Sequence, residues 1–302
     1  MQHILICNDR TGPQSKALAR ALRAGGAKVT SIPLASLAFD TGAPHGIAIP
    51  GFNHLPDAII VRSIAAGSFE AVTRRLGILH AMEALGVPVW NTAKAIERCV
   101  DKSMTSFLLA NANIPTPRTF AVEGFDAARE IVERERVPLV IKPLFGAQGR
   151  GIKRIESVAD LPPREAVADT YYLQHYIERH GPPFHDFRVF VCADRAIALM
   201  RRRSTDWISN VNRGASPETA TDEDRTELER LAIAAAQAVG ADFAGVDLVR
   251  DTSGRLFVLE VNSMPAWSGL QSVVKVDISA AIADALLASL GERRLRLVAS
   301  YR

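Results

Sequence analysis

Apolar and polar positions along the first ninety residues alternate between two patterns. Ile4 to Cys7 is a short, wholly apolar run, the mark of a strand buried on both faces. Gln14 to Ala24 repeats apolar residues at helical spacing and stops at Gly25-Gly26. Lys28 to Leu34 reads as a strand, as do Asp57 to Arg62 and Val87 to Trp90, with a helix over Ser68 to Leu85. Strands alternating with helices predict a parallel sheet carrying helices on its faces.

Past residue 91 the pattern changes. Thr92 to Val100 and Lys102 to Asn111 read as helices, closed by Asn113-Ile114-Pro115-Thr116-Pro117. Strands are predicted at Arg118–Ala121, Pro138–Lys142, Ile152–Ile155, Tyr171–Tyr176, Phe187–Cys192 and Arg195–Arg202. Helices are predicted at Phe125–Glu135, Glu223–Val239 and Asp277–Leu290.

One hairpin carries chemistry. Ala244 to Arg250 and Arg255 to Asn262 flank the turn Asp251-Thr-Ser-Gly254. A four-residue turn sets residue 247 opposite 258. Period-two alternation then places Asp247, Glu260 and Asn262 on one face, the two carboxylates as diagonal neighbours roughly 7 Å apart. Carboxylates in so apolar a ribbon are costly unless paired or bound to metal, and oxygen ligands favour Mg²⁺ or Mn²⁺ over zinc. A hairpin whose polar face points at water is the alternative.

Lys142 ends an apolar strand just before the glycine-rich stretch Gly146, Gly149 and Gly151. Glycines let backbone N–H groups approach a phosphate, and the lysine adds a point charge. The spacing matches neither a P-loop nor a dinucleotide fingerprint, so taken alone the signal is weak and a flexible surface hairpin is the more common explanation.

Composition narrows the class. The 302 residues suggest two or three packed units, and 48% hydrophobic with 23% charged residues describes a globular chain. No apolar run is long enough to span a bilayer, and the N-terminus lacks a basic region before its short apolar run, so neither a membrane span nor a secretory signal is expected. Cys7, Cys99 and Cys192 lie far apart in apolar surroundings, predicting reduced, buried thiols and a cytoplasmic protein. A net charge of +3 does not call for nucleic acid, but the cations are seven lysines against 29 arginines. Arginine forks onto carboxylates and phosphates better than lysine does.

The order of these elements resembles the ATP-grasp ligases, and among them the RimK-like glutamate ligases. The resemblance rests on Asp101-Lys-Ser, Val140-Ile-Lys-Pro-Leu-Phe-Gly-Ala-Gln-Gly-Arg-Gly, Leu173-Gln-His-Tyr-Ile, Asp186-Phe-Arg-Val-Phe-Val, Ser209-Asn-Val-Asn-Arg-Gly214 and Leu259-Glu-Val-Asn262-Ser-Met-Pro. It implies an α+β ATP-grasp fold of three domains, with ATP bound between the second and third. These are a parallel α/β domain over 1–95, a central lid domain over 96–180 and a C-terminal domain over 181–302.

The resemblance also implies roles. Lys102 and Lys142 contact ATP phosphates under the loop of Gly146, Gln148, Gly149 and Gly151. Gln174, His175, Tyr176 and Ile177 form the adenine hinge, His175 standing where many relatives carry glutamate. Asp186 faces the ribose, with Ser209 and Asn210 nearby, and Asp247, Glu260 and Asn262 hold two Mg²⁺ or Mn²⁺. Arg188, Arg202, Arg203 and Arg213, with Asn210, clamp acidic substrates; Arg188, Lys142, Arg202 and Arg213 serve catalysis.

The implied reaction joins L-glutamate to an acidic acceptor through an acyl phosphate. Candidate acceptors are a protein C-terminus, a peptide or a coenzyme, with extension of a glutamate tail on a one-carbon carrier such as methylofuran the specific expectation. A ligase of the D-alanine–D-alanine type and a non-catalytic ATP-binding module are the rivals. No membrane partner is expected, and a homo-dimer or tetramer is.

Overall fold

The computed structural model describes residues 1–146, 151–211, 214–221 and 225–300. The chain begins with β1 (His3–Cys7), α1 (Pro13–Ala24), β2 (Lys28–Ile32), β3 (Ala38–Phe39), β4 (Ile47–Ala48), β5 (Ala58–Val61), α2 (Phe69–Ala84) and β6 (Val89–Trp90). It continues with α3 (Ala93–Val100), α4 (Lys102–Asn111), β7 (Thr119–Glu123), α5 (Phe125–Glu135), β8 (Leu139–Lys142), β9 (Lys153–Ile155) and β10 (Thr170–His175). Last come β11 (Phe184–Cys192), β12 (Arg195–Ser204), β13 (Ser216–Thr219), α6 (Arg225–Val239), β14 (Phe243–Arg250), β15 (Leu256–Asn262), α7 (Ser268–Gln271) and α8 (Ile278–Ser300).

Three main sheets result, giving the α+β class. The first is parallel in the order β2-β1-β5-β6, and the second antiparallel in the order β7-β10-β8-β9. The third is antiparallel in the order β13-β12-β11-β14-β15. β1 shows why its sequence is uniformly apolar. Ile4 and Ile6 enter one core with Leu18 and Leu22 of α1, while Leu5 and Cys7 enter another with Ile78, Leu79 and Met82 of α2. Both faces are covered, as parallel strands require.

The packing interleaves parts of the chain distant in sequence. Cys99, Leu109 and Ile114 join the C-terminal core with Leu228 and Val246, while the central sheet packs on α5 through Ala128, Ile131 and Val132 and on Leu161. α8 returns to the N-terminal sheet, where Ile282 and Leu286 meet Ile4 and Leu18. α8 also runs past its predicted end at Leu290. Gly291 disfavours a helix by only about 1 kcal/mol, and Glu292-Arg-Arg-Leu-Arg-Leu continues with good helix formers. The cysteines are free and buried as expected. Among the described residues no helix is long and apolar enough to cross a membrane.

Asn91 joins the first and third sheets. Its side chain is fully buried, donates to the carbonyls of Phe243 (2.8 Å) and Ser263 (2.6 Å), and accepts from the Phe243 N–H (3.0 Å). It therefore pins the start of β14 beside the end of β15. Asn91→Ala leaves three buried backbone groups unpaired, and chemical denaturation should show a loss of about 3 kcal/mol.

Candidate active site

A cleft lies between the central and C-terminal sheets. Its polar floor is a product of sheet register. On one face of the C-terminal sheet the far ends of the strands are apolar: Phe190, Cys192, Ala198, Met200 and Phe243 pack toward α8. The same face continues along β11 and β14 as Arg188, Asp186 and Asp247. Side chains two residues apart share a face, so one surface passes from core to cleft.

Register also fixes the partners. Asp186 of β11 lies opposite Arg202 of β12, and Arg188 lies opposite Asp247 of β14. Arg202 forks onto Asp186 through Nε–H to Oδ1 (2.6 Å) and Nη2–H to Oδ2 (2.7 Å). Arg188 forks onto Asp247 through Nε–H (2.7 Å) and Nη2–H (2.6 Å), and Arg202 Nη2 reaches Asp247 Oδ1 at 3.2 Å. The Ser209 hydroxyl donates to Asp186 Oδ2 at 2.6 Å.

Burial alone would raise the Asp247 carboxyl, but Arg188 and Arg202 hold it below the usual carboxylate range. Burial alone would likewise weaken Arg202, yet Asp186 and Asp247 raise it instead. Asp247 and Arg202 thus favour their charged forms despite burial.

Asp247 faces Glu260 directly, which differs from the diagonal placement expected. Arg250 pairs with Leu256 and Leu248 with Val258, and a bulge then brings Glu260 opposite Asp247. Val258 consequently turns into the core with Leu248, while Leu259 and Glu260 both line the cleft. A bulge inserts one unpaired residue and re-aims its neighbours, which simple alternation cannot anticipate.

From the opposite side, β8 presents Val140 and Lys142. The Lys142 ammonium donates to Gln174 Oε1 (2.7 Å), and Gln174 Nε2 in turn reaches Thr119 Oγ1 (3.1 Å) and the Tyr172 hydroxyl (3.2 Å). Burial pushes Lys142 down to about 8, opposed by Glu260 and Asp247. Lys102, at the start of α4, donates to the carbonyls of Leu144 (3.1 Å) and Gly146 (2.8 Å) and is lowered by burial against Glu260 and Asp101. It ties the start of the glycine loop to a helix whose first N–H groups are capped by Asp101. At the other end, Gly151 has φ +71° and a Cβ there would meet Pro143 at 2.8 Å, so only glycine fits. Gln148, Gly149 and Arg213 lie outside the described residues.

Asp186, Arg202 and Ser209 line the cleft, and there each is bonded within the ladder. One expectation needs correction. Arg203 alternates to the opposite face from Arg202 and is exposed, outside the cleft. Gln174 uses its amide to brace Lys142. His175 lines the cleft while its ring bonds Glu135 Oε2 (3.0 Å), which also accepts from Arg118 (2.8 Å). Tyr176, Ile177 and Asn210 do line the cleft, as do Glu260 and Asn262.

The apolar walls were missed. Val140 and Ile152 face Val249 and Leu259, and Trp207 closes one end with its ring 5.6 Å from that of Tyr176. Arg179 anchors this end by donating to the carbonyls of Trp207 and, at 3.2 Å, His185. The position of Val140, two before Lys142, was the available signal. Such a slot suits a planar ring, with the lysines placed for a polyanion attached to it.

The donor set also suits a hard cation. Asp247 and Glu260 are adjacent carboxylates with the Asn262 amide beside them, and Glu260 has no hydrogen-bonding partner among the described residues. No group of three His, Cys, Asp or Glu gathers among those residues to hold a metal alone. One or two carboxylates completed by substrate phosphates is the usual way Mg²⁺ is held.

With this geometry in view, a family model for the RimK-like ATP-grasp domain matches residues 99–286. The chain belongs to the RimK-like ATP-grasp family. With membership goes the enzyme class, a ligase forming carbon–nitrogen bonds. This ATP-grasp ligase is 35% identical over 234 residues to the tetrahydromethanopterin:alpha-L-glutamate ligase of Methanococcus maripaludis, covering 75% of this chain and 77% of that protein. It is 36% identical over 236 residues to a "Probable alpha-L-glutamate ligase" of Xanthomonas oryzae pv. oryzae, covering 72% and 78%. The fold of the ATP-grasp ligase PsnB, solved with minimal precursor, Mg and ADP, superposes with a TM-score of 0.69 at 22% identity, over 95% of this chain and 98% of that one. D-cycloserine synthetase DcsG superposes with a TM-score of 0.67 at 18% identity, over 96% and 100%.

The ladder of the ATP-grasp ligase makes a stability test. Asp186→Ala leaves the buried Arg202 guanidinium with only its 3.2 Å contact to Asp247 and should cost about 3 kcal/mol in denaturant unfolding. Arg203→Ala should stay within about 0.5 kcal/mol of wild type.

Proposed function

We propose that the protein joins L-glutamate to an acidic small-molecule acceptor at the expense of ATP. The observation that carries this reading is the direct opposition of Asp247 and Glu260 across β14–β15, facing Lys142 in one cleft. Relatives named glutamate ligases support the choice of amine. Asp247, Glu260 and Asn262 would hold Mg²⁺, or Mn²⁺, as one or two ions. When bound, the metal neutralises phosphate charge during transfer.

In this reading the γ-phosphoryl of ATP passes to the acceptor carboxylate, giving an acyl phosphate and ADP. The glutamate amine then attacks the acyl carbon, and phosphate leaves with the electrons of the broken C–O bond. The chain's own residues position and neutralise. Lys142 and Lys102 face the phosphates, the apolar walls take the adenine, and the glycine loop excludes water from the acyl phosphate. Arg188 and a divalent cation compete for the same two Asp247 oxygens. A cation held by Asp247 would release the Arg188 fork, which would then be placed to bind the acceptor carboxylate. The finer acceptor we infer is a one-carbon carrier bearing a glutamate tail, with methylofuran the first compound to try.

Asp247→Ala and Glu260→Ala should each cut Mg²⁺- and glutamate-dependent ADP release by more than about 100-fold. Full activity in both variants removes the metal assignment. Acceptor candidates are screened by mass, looking for added glutamyl residues. Turnover with D-alanine but not L-glutamate would favour the D-alanine–D-alanine type.

Lys142 gives a pH test. Its ammonium is charged below about 8 and neutral above, so the affinity of the free protein for MgATP should fall as pH rises through that value. Lys142→Arg, which stays charged, should abolish this step in a fluorescence titration with a nucleotide analogue.

A further inference from the structure

A second cavity, of about 580 Å³, opens where the N-terminal sheet meets the loop after β15. Its place in the topology is significant. From β1 the chain crosses to β2 on one side, and β5 lies on the other, so the carboxyl ends of β1 and β5 flank the switch point of the sheet. In open α/β sheets that crevice is where ligands bind. Here the residues just after the two strands are Asn8 and Arg62.

Both are built as donors without acceptors. Arg62 is 7% exposed and its guanidinium lies 4.1 Å over the Trp267 ring. Nη2 donates to the Pro265 carbonyl at 2.8 Å, but Nε and Nη1 have no partner. Among the described residues no carboxylate pairs with Arg62, and burial pushes it down to about 9. Asn8 is also 7% exposed, with Nδ2 unpartnered. Beside them begins α1, whose first turn no side chain caps, so its N–H groups add positive potential. A buried cation, an orphan amide and a helix N-terminus around one cavity call for an anion.

Asp9 limits which anion. Its Oδ1 is buried without a partner in the same cavity, while its backbone N–H is held by Ser63 Oγ at 2.8 Å. A ligand that completes the site carries a donor as well as a carboxylate. The cavity also adjoins the cleft. Ala266 lines it, and the Ala266 carbonyl accepts from Nη1 of Arg188 at 3.5 Å, so one loop separates it from the Arg188–Asp247 pair. We propose that this cavity seats the incoming amino acid, its carboxylate against Arg62 and Asn8 and its ammonium against Asp9. The assignment rests on the ligase reading above and supplies the site of its second substrate.

Calorimetric titration of the full chain with Mg²⁺ and ADP present tests this without turnover. The probes are L-glutamate and N-acetyl-L-glutamate, the latter having no free amine and so resembling an acceptor's glutamyl end. L-Glutamate should bind the wild type. Asn8→Asp, nearly isosteric, should weaken it by about ten-fold or more, with ADP affinity unchanged. Asp9→Asn should weaken L-glutamate alone. Arg62→Gln, checked for folding by circular dichroism, should act like Asn8→Asp. Equal L-glutamate affinity in Asn8→Asp and wild type overturns the proposal, as does no binding by the wild type. Preferential binding of N-acetyl-L-glutamate, weakened by Asn8→Asp, gives the cavity to the acceptor and overturns it too. If glutamate-dependent ADP release is absent while these affinities behave as stated, the ligase reading fails and the amino-acid site stands.

Discussion

The structure depends on a buried charge ladder running across the C-terminal sheet. Arg202 meets Asp186, Arg188 meets Asp247, and Asp247 faces Glu260 over the next strand. Four such groups desolvated singly would destabilise the domain severely. They are tolerated because cross-strand register sets each fork opposite its carboxylate, so every charge is matched. The requirement acts on the fold as well as the site. A one-residue slip of β11 against β12 or β14 would place like with apolar throughout, so the ladder and the core enforce the same register.

That matching explains the electrostatics of the cleft. Glu260 is the carboxylate left over from the ladder, and Lys142 and Lys102 feel it from across the cleft. The lysines are held by a Gln174 amide and by loop carbonyls, which are neutral acceptors. Neutral partners hold an ammonium in place without neutralising it. A polyphosphate entering the cleft therefore meets cations already oriented and only weakly compensated, and little has to be rearranged to receive it.

The sequence showed some of this clearly and some not at all. α4 and α5 matched in full, because their caps and breakers, Asp101, Gly124 and the Asn113–Pro117 run, are local signals. Lys142, Asp247, Glu260 and Asn262 were legible because alternation and charge in an apolar context mark them. What escaped depends on partners distant in sequence. The bulge at Leu259 is set by pairing with β14, and the engagement of Arg202 by Asp186 is set by pairing with β11. That Gln174 bonds Lys142 depends on the pairing of β10 with β8. Arg62 carried no motif, since an arginine after an apolar strand is ordinary until its burial is known.

The return of α8 to the N-terminal sheet joins these parts. It carries one apolar core across β1, α1, β11 and β12, so the first and third sheets pack as one body, with Asn91 pinning their seam. The central sheet shares no core with them, packing instead on α5. The two cavities therefore differ in kind. The nucleotide cleft lies between that fixed body and a separately packed sheet, the arrangement a closing lid requires. The cavity around Arg62 and Asn8 lies within the fixed body itself. In the reading proposed above, an amino acid seated there would be positioned by the body that carries β11 and β14, across the cleft from Lys142.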